Sequence, residues 1–337
     1  MPGLTTPQQT EALRSPRRRA RRRRRLIASA GVVALLVWTG LVVGSAAAPV
    51  GYFTSAAAQD RFRAAYARAM VDLPTPQRTL DVRTSFGIVR VYRFSGGHAD
   101  QAPLLLLPGR ASASPVWADN LPSLLRLRDV YTIDLLGEPG YSIQDRPITT
   151  DDDHAAWLHQ VLAALPEPRL NLVGVSIGGW TAANLATRQS DKIASLILLE
   201  PVFVFGPISV EAIVRSIPAS VRWFPKAWRD SFASWTAGGA PVDDVPVAQL
   251  IEAGMQSYAI KLAAPTQIPE AALAGLQLPV LVLYGGRSPM HDPVAGADTA
   301  RRILTTGTVK TYPDATHAIN GEYPDQIATD IAAFLPD

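Results

Sequence analysis

The chain has 337 residues, of which 47% are hydrophobic, 18% are charged and none is cysteine. It is too long and too apolar for a disordered tail, and without thiols it has no disulfide, thiolate metal site or cysteine nucleophile. The net charge of +3 is unevenly spread: residues 1–25 hold nine arginines and one glutamate, so the rest of the chain is net negative and makes a poor nucleic-acid binder.

The basic head over 1–25 runs directly into an uncharged apolar stretch, Leu26–Ala48. As a helix this stretch would be about 34 Å long, enough to cross a hydrocarbon core. Arginines on its N-terminal side predict a cytoplasmic N-terminus, a single-pass anchor in the lipid bilayer through residues 26–48 and an extracytoplasmic remainder. The competing reading is an export signal cleaved near Ala58, which would release a secreted protein. Residues 56–71 read as an amphipathic helix within a linker over 49–78, ended by Pro74 and Pro76.

From Thr79 the pattern becomes strand-like. LDVRTSF and IVRVYRF flank Gly87 and predict an opening hairpin. Further strands are expected in 102–109, 129–137, 170–176, 192–201, 278–286 and 308–317. The runs at 102–109, 170–176, 192–201 and 278–286 are nearly continuous apolar stretches, as in strands buried on both faces. Helical patterns separate them at 114–127, 151–165, 177–189, 293–304 and 324–335. This alternation predicts an α/β domain over 79–337 with a mainly parallel, eight-stranded sheet. Residues 202–275 break the rhythm with Trp223, Trp228, Trp235 and several prolines, and read as a helical cap insertion over the strand ends.

The strand LNLVGVS closes in Gly174-Val175-Ser176-Ile177-Gly178, and a helix follows. A G-x-S-x-G between a buried strand and a helix is the setting of a nucleophile elbow, with the serine oxygen projecting from a tight turn. His317, after the last strand and before the last helix, is the expected base, because imidazole can accept the serine proton and return it. His98 falls in a turn, His154 and His159 on a helix without a shared face, and His291 in a loop. Asp151–Asp153 open a helix, where acidic residues complement the dipole, so no metal is expected and no cofactor.

On these motifs the chain resembles the α/β-hydrolase superfamily from about Thr79 onward, and its lead-in RFRAAYARAMVDLPTPQRTLDVRTSFG is similar to that of a bacterial carboxylesterase-like branch. The resemblance extends to LLLLPGRASASPVW, DLLGEPGYS and PDATHAINGEYPDQIATDIAAFL. It implies an α/β-hydrolase fold and a serine hydrolase with Ser176 as nucleophile and the N–H groups of Arg110 and Ile177 as the oxyanion hole. The superfamily often takes its acid from the end of the seventh strand, where this chain has Ser288. The acid is therefore expected to be Glu200, closing the sixth strand, or Asp292. The substrate expected is a small, apolar carboxylic ester. A thioester, amide or carbon–carbon bond is the alternative, as is a non-catalytic binding protein that lost an effective acid.

Overall fold

The near-continuous apolar runs of the sequence are strands with both faces covered. The computed structural model describes residues 49–336 except 99, 222 and 243. Its strands are β1 (Tyr52–Phe53), β2 (Arg78–Thr84), β3 (Gly87–Phe94), β4 (Leu104–Leu107), β5 (Val130–Ile133), β6 (Ile143–Gln144), β7 (Leu170–Val175), β8 (Ile193–Leu199), β9 (Tyr258–Ala259), β10 (Val280–Gly285) and β11 (Gly307–Tyr312). Side chains alternate between two cores. Leu105, Leu107, Leu172, Leu196, Leu198 and Val282 face one side, and Leu104, Leu106, Val173, Ile197, Leu199 and Leu281 face the other. Burying each of these side chains contributes about 1.5–3 kcal/mol.

The main sheet runs β11-β10-β8-β7-β4-β5-β3-β2, with β6 beside β3. The eight expected strands are all present, and β6 is a two-residue addition. Strands β5, β4, β7, β8, β10 and β11 pair in parallel, while β2 and β3 form the antiparallel hairpin. After β4 the chain first lays β5 on one side and then β7 on the other. This reversal falls between β4 and β7, and open α/β sheets bind ligands beyond the C-terminal ends of the strands at such a point.

The basic head over 1–25 and the expected membrane helix over 26–48 lie outside the described residues. Among the described residues, no helix is long and apolar enough to cross a membrane. The segment 49–78 was expected as a linker, but the helix Ala56–Met70 belongs to the body. It buries Phe62, Tyr66 and Ala69 in the second core and packs on the helix Pro246–Ser257. Tyr66 also donates to the carboxylate of buried Asp134, at 3.1 Å. The physical reason is the spacing of its apolar residues, which forms one stripe that needs a partner.

Among the described residues, the cap insertion over 202–275 carries the short helix Glu270–Ala274 and three longer helices, Val210–Ser220, Lys226–Thr236 and Pro246–Ser257. Arg229 is buried between the last two and pairs with Glu252 at 2.7 Å. The cap also contains β9, a strand that its sequence pattern did not announce, which pairs antiparallel with β1. Helix formation over 114–127 is reduced to a 3₁₀ turn, Ser114–Trp117, and a single turn, Leu121–Leu124, because Pro115 and Pro122 start new segments.

Candidate active site

Ser176 sits between β7 and the helix Ile177–Ala186 with φ 54° and ψ −117°. A side chain with positive φ is strained, and the surrounding backbone over-determines it. The Ser176 N–H donates to the Leu199 carbonyl at 2.9 Å, and the Ser176 carbonyl accepts from the Trp180 N–H at 3.1 Å. The two glycines of the motif are steric necessities. A Cβ on Gly178 would lie 2.2 Å from the Leu107 oxygen, and one on Gly174 would lie 2.4 Å from the Gly178 oxygen.

The loop after β11 brings His317 to this serine. His317 Nε2 is 3.0 Å from Ser176 Oγ, and His317 Nδ1 is 2.9 Å from Glu200 Oε2. The loop is held from both sides. Glu322 accepts from the Thr316 N–H and hydroxyl at 2.7 and 2.6 Å, and the His317 N–H donates to the cap at the Thr236 carbonyl.

Glu200 follows β8, is fully buried and has φ 49°. Its Oε1 accepts from the Gly285 N–H of neighbouring β10 at 2.6 Å. Burial pushes its carboxyl up, but contacts from His291 and His317 outweigh that and hold it at about 2. A carboxylate so held stays ionised beside the imidazole. Asp292 is engaged elsewhere. It caps the helix Pro293–Ile303, accepting from the N–H groups of Val294 and Ala295 at 3.0 Å each.

Arg110 and Ile177, the expected oxyanion donors, line one small cavity together with Leu135, Leu136, Trp157, Trp180 and Leu262. Two residues to which sequence reasoning gave no role stand beside the site, one at Arg110 and one at Glu200. Glu138, in the turn after β5, is buried, accepts from the Ala111 N–H at 3.0 Å and pairs with the Arg110 guanidinium at 3.1 Å. Burial raises its carboxyl, and Arg110 opposes the rise. The second is His291, whose Nε2 lies 3.3 Å from Glu200 Oε2. The sequence signal for Glu138 was a carboxylate in a Gly-Pro turn, and for His291 a loop position beside an expected acid.

The remaining candidates lie apart from the Ser176–His317–Glu200 chain. Asp153 completes a capping box with Thr150, and Asp152 pairs with Arg188. Among the described residues, no cluster of potential ligands is arranged to hold a metal ion. His159 pairs with Asp191, and His154 is buried, its imidazole pushed down to about 4 by desolvation. Trp223 and Trp228 are exposed on the cap, whereas Trp235 lines a cavity of about 480 Å³ with Arg215 and Arg287.

Residues 104–330 match the alpha/beta hydrolase family. The carboxylesterase YbfK of Bacillus subtilis is 23% identical over 285 residues, covering 82% of this chain and 93% of its own. The crystal structure of that protein, carboxylesterase CesB, superposes with a TM-score of 0.75 at 20% identity, covering 82% of this chain and 98% of its own. The crystal structure of naproxen esterase from Bacillus subtilis superposes with a TM-score of 0.72 at 21% identity, covering 82% of this chain and 97% of that one.

Proposed function

The chain belongs to the alpha/beta hydrolase family and is a carboxylesterase-like hydrolase, and we propose that it is a membrane-anchored serine esterase cleaving small, apolar carboxylic esters through an acyl-enzyme. The observation that carries this reading is the series of contacts Ser176–His317–Glu200, at 3.0 and 2.9 Å. Ser176 Oγ attacks the ester carbonyl while His317 Nε2 takes its proton. Glu200 holds the Nδ1–H tautomer and stabilises the imidazolium that forms. The N–H groups of Arg110 and Ile177 receive the oxyanion, the latter from the N-terminus of a helix. His317 then protonates the departing alcohol, and water, deprotonated by the same imidazole, releases the acid. Relatives named carboxylesterases over most of their length favour an ester over a thioester, amide or carbon–carbon bond. The buried, ionised Glu200 weighs against a binding protein that lost its acid.

The anchor rests on the sequence alone, on arginines preceding the uncharged stretch Leu26–Ala48. Single-pass insertion with the catalytic domain extracytoplasmic follows from that charge bias. Fluorophosphonate labelling and turnover of a p-nitrophenyl ester panel test the chemistry, and Ser176→Ala abolishes both while leaving the fold intact. Turnover by this variant at a comparable rate overturns the mechanism. Carbonate-resistant membrane association tests the anchor, and an isolated protein beginning near Gln59 overturns it.

A further inference from the structure

Glu200 is approached by two imidazoles. Its Oε2 takes His317 Nδ1 at 2.9 Å and has His291 Nε2 at 3.3 Å. The second contact is an electrostatic one, and among the described residues His291 Nε2 completes no hydrogen bond. His291 is buried, stands edge-on to the Tyr284 ring at 5.2 Å and lies 6.3 Å from the His317 ring. The loop after β10 therefore delivers an imidazole to the carboxylate of β8. Its neighbour Asp292 turns away to cap a helix.

An imidazole buried against phenol and carboxylate has a packing role open to it, and a phenylalanine would fill that role. The placement on Oε2 gives it another. Glu200 has no exposed edge, and its other oxygen is fixed by the Gly285 N–H. Any partner on Oε2 therefore determines how much of the carboxylate's charge faces His317. The titratable groups facing Glu200 are His291 and His317, with Tyr284 nearby, its hydroxyl held neutral because burial and Glu200 push it far up.

We propose, building on the Ser176–His317–Glu200 reading, that His291 is a positioning residue: it shares Glu200 Oε2, fixes the carboxylate for His317 and tempers the charge that His317 feels. His291 touches no substrate and acts only through Glu200. An N–H or a positive charge at this point draws on the same oxygen that supports the His317 imidazolium. Removing it turns the whole carboxylate toward His317, making that imidazole easier to protonate whether His291 is neutral or charged. At the same time the buried carboxylate loses a restraint on its orientation, which costs rate in a site that depends on alignment.

The test compares His291→Phe, which keeps ring volume but has no donor, with His291→Gln, which keeps an N–H. The readouts are kcat, KM and the pH profile of kcat/KM, with active sites counted by fluorophosphonate. His291→Phe is expected to lower kcat per labelled site by 10- to 100-fold, leave KM within threefold and move the acid limb to higher pH by several tenths of a unit. His291→Gln should recover at least half of the lost rate on a logarithmic scale. If His291→Phe does not fold, His291→Leu takes its place in the same comparison. A wild-type kcat and acid limb in the phenylalanine or leucine variant overturns the proposal, as does a glutamine variant no better than either. Glu200→Gln in the same assay separates the two readings. If it turns over like the wild type, the underlying catalytic chain fails. If it is crippled while His291→Phe is not, only the role of His291 falls.

Discussion

Replacing Glu200 by glutamine should cost far more than the loss of one charge suggests, because the site dictates which way the amide points. The Gly285 N–H donates to Oε1 at 2.6 Å in a fully buried setting, so the amide oxygen must stay there. The amide NH₂ then occupies the Oε2 position and presents a donor to His317 Nδ1. Nδ1 can only accept, which moves the imidazole proton to Nε2, 3.0 Å from Ser176 Oγ. The base has then lost the lone pair that takes the serine proton. A wrong tautomer of this kind costs about 10³–10⁴ in kcat, or about 4–5.5 kcal/mol. The assay is steady-state hydrolysis of a p-nitrophenyl ester per fluorophosphonate-titrated site, with near-UV circular dichroism as the fold control. Asp292→Asn is the matched comparison. Asparagine caps a helix as well as aspartate does, so its rate should stay within about twofold. A Glu200→Gln rate within tenfold of wild type refutes the reasoning, and so does greater damage from Asp292→Asn.

Glu138→Leu removes the acceptor of the Ala111 N–H and the partner of the Arg110 guanidinium, and should lower kcat by about 10- to 100-fold with fluorophosphonate labelling slowed in parallel. Unchanged labelling and kcat would detach this turn from the oxyanion hole. His154 is held at about 4, below its usual range, so the folded protein prefers it neutral. Its contribution to stability is full above about pH 6.5 and is lost as pH falls toward 4, by about 2–3 kcal/mol. Urea melts at pH 7 and 4.5 should show a smaller acid loss in His154→Gln than in wild type, and equal losses would refute the assignment.

How much of this was legible in the sequence depends on how local each signal is. Ser176 and its glycines are contiguous, and the demand for Gly178 comes from a strand end only one parallel neighbour away. His317 could be read from its place between the last strand and the last helix. The acid stayed open between Glu200 and Asp292, because the choice depends on β8 lying beside β10, an adjacency that no single segment encodes. His291 was hidden for the same reason, since its partner is on another strand. The helix Ala56–Met70 read as a linker because its partner helix, Pro246–Ser257, comes much later in the chain. The strands themselves were plain, since burial on both faces leaves uninterrupted apolar runs.

The strain in the molecule follows the same strand ends. Among the described residues, four that are not glycine have positive φ: Ala111, Ser176, Glu200 and Phe203. The first three follow β4, β7 and β8, which are consecutive neighbours in the sheet apart from sequence order. Each such residue costs about 1–2 kcal/mol. Each is also tied to something rigid. Ala111 donates to Glu138, Ser176 to the Leu199 carbonyl and Glu200 to the Leu283 carbonyl. The last two bonds extend the parallel ladders beyond the strands, so buried strands on either side oppose any relaxation. Glycine would relieve the strain at 176 or 200 but would remove Oγ or the carboxylate. Ser176 and Glu200, two of the three side chains that could do chemistry, therefore stand where the backbone is least comfortable, and the apolar β4, β7, β8 and β10 core keeps them there.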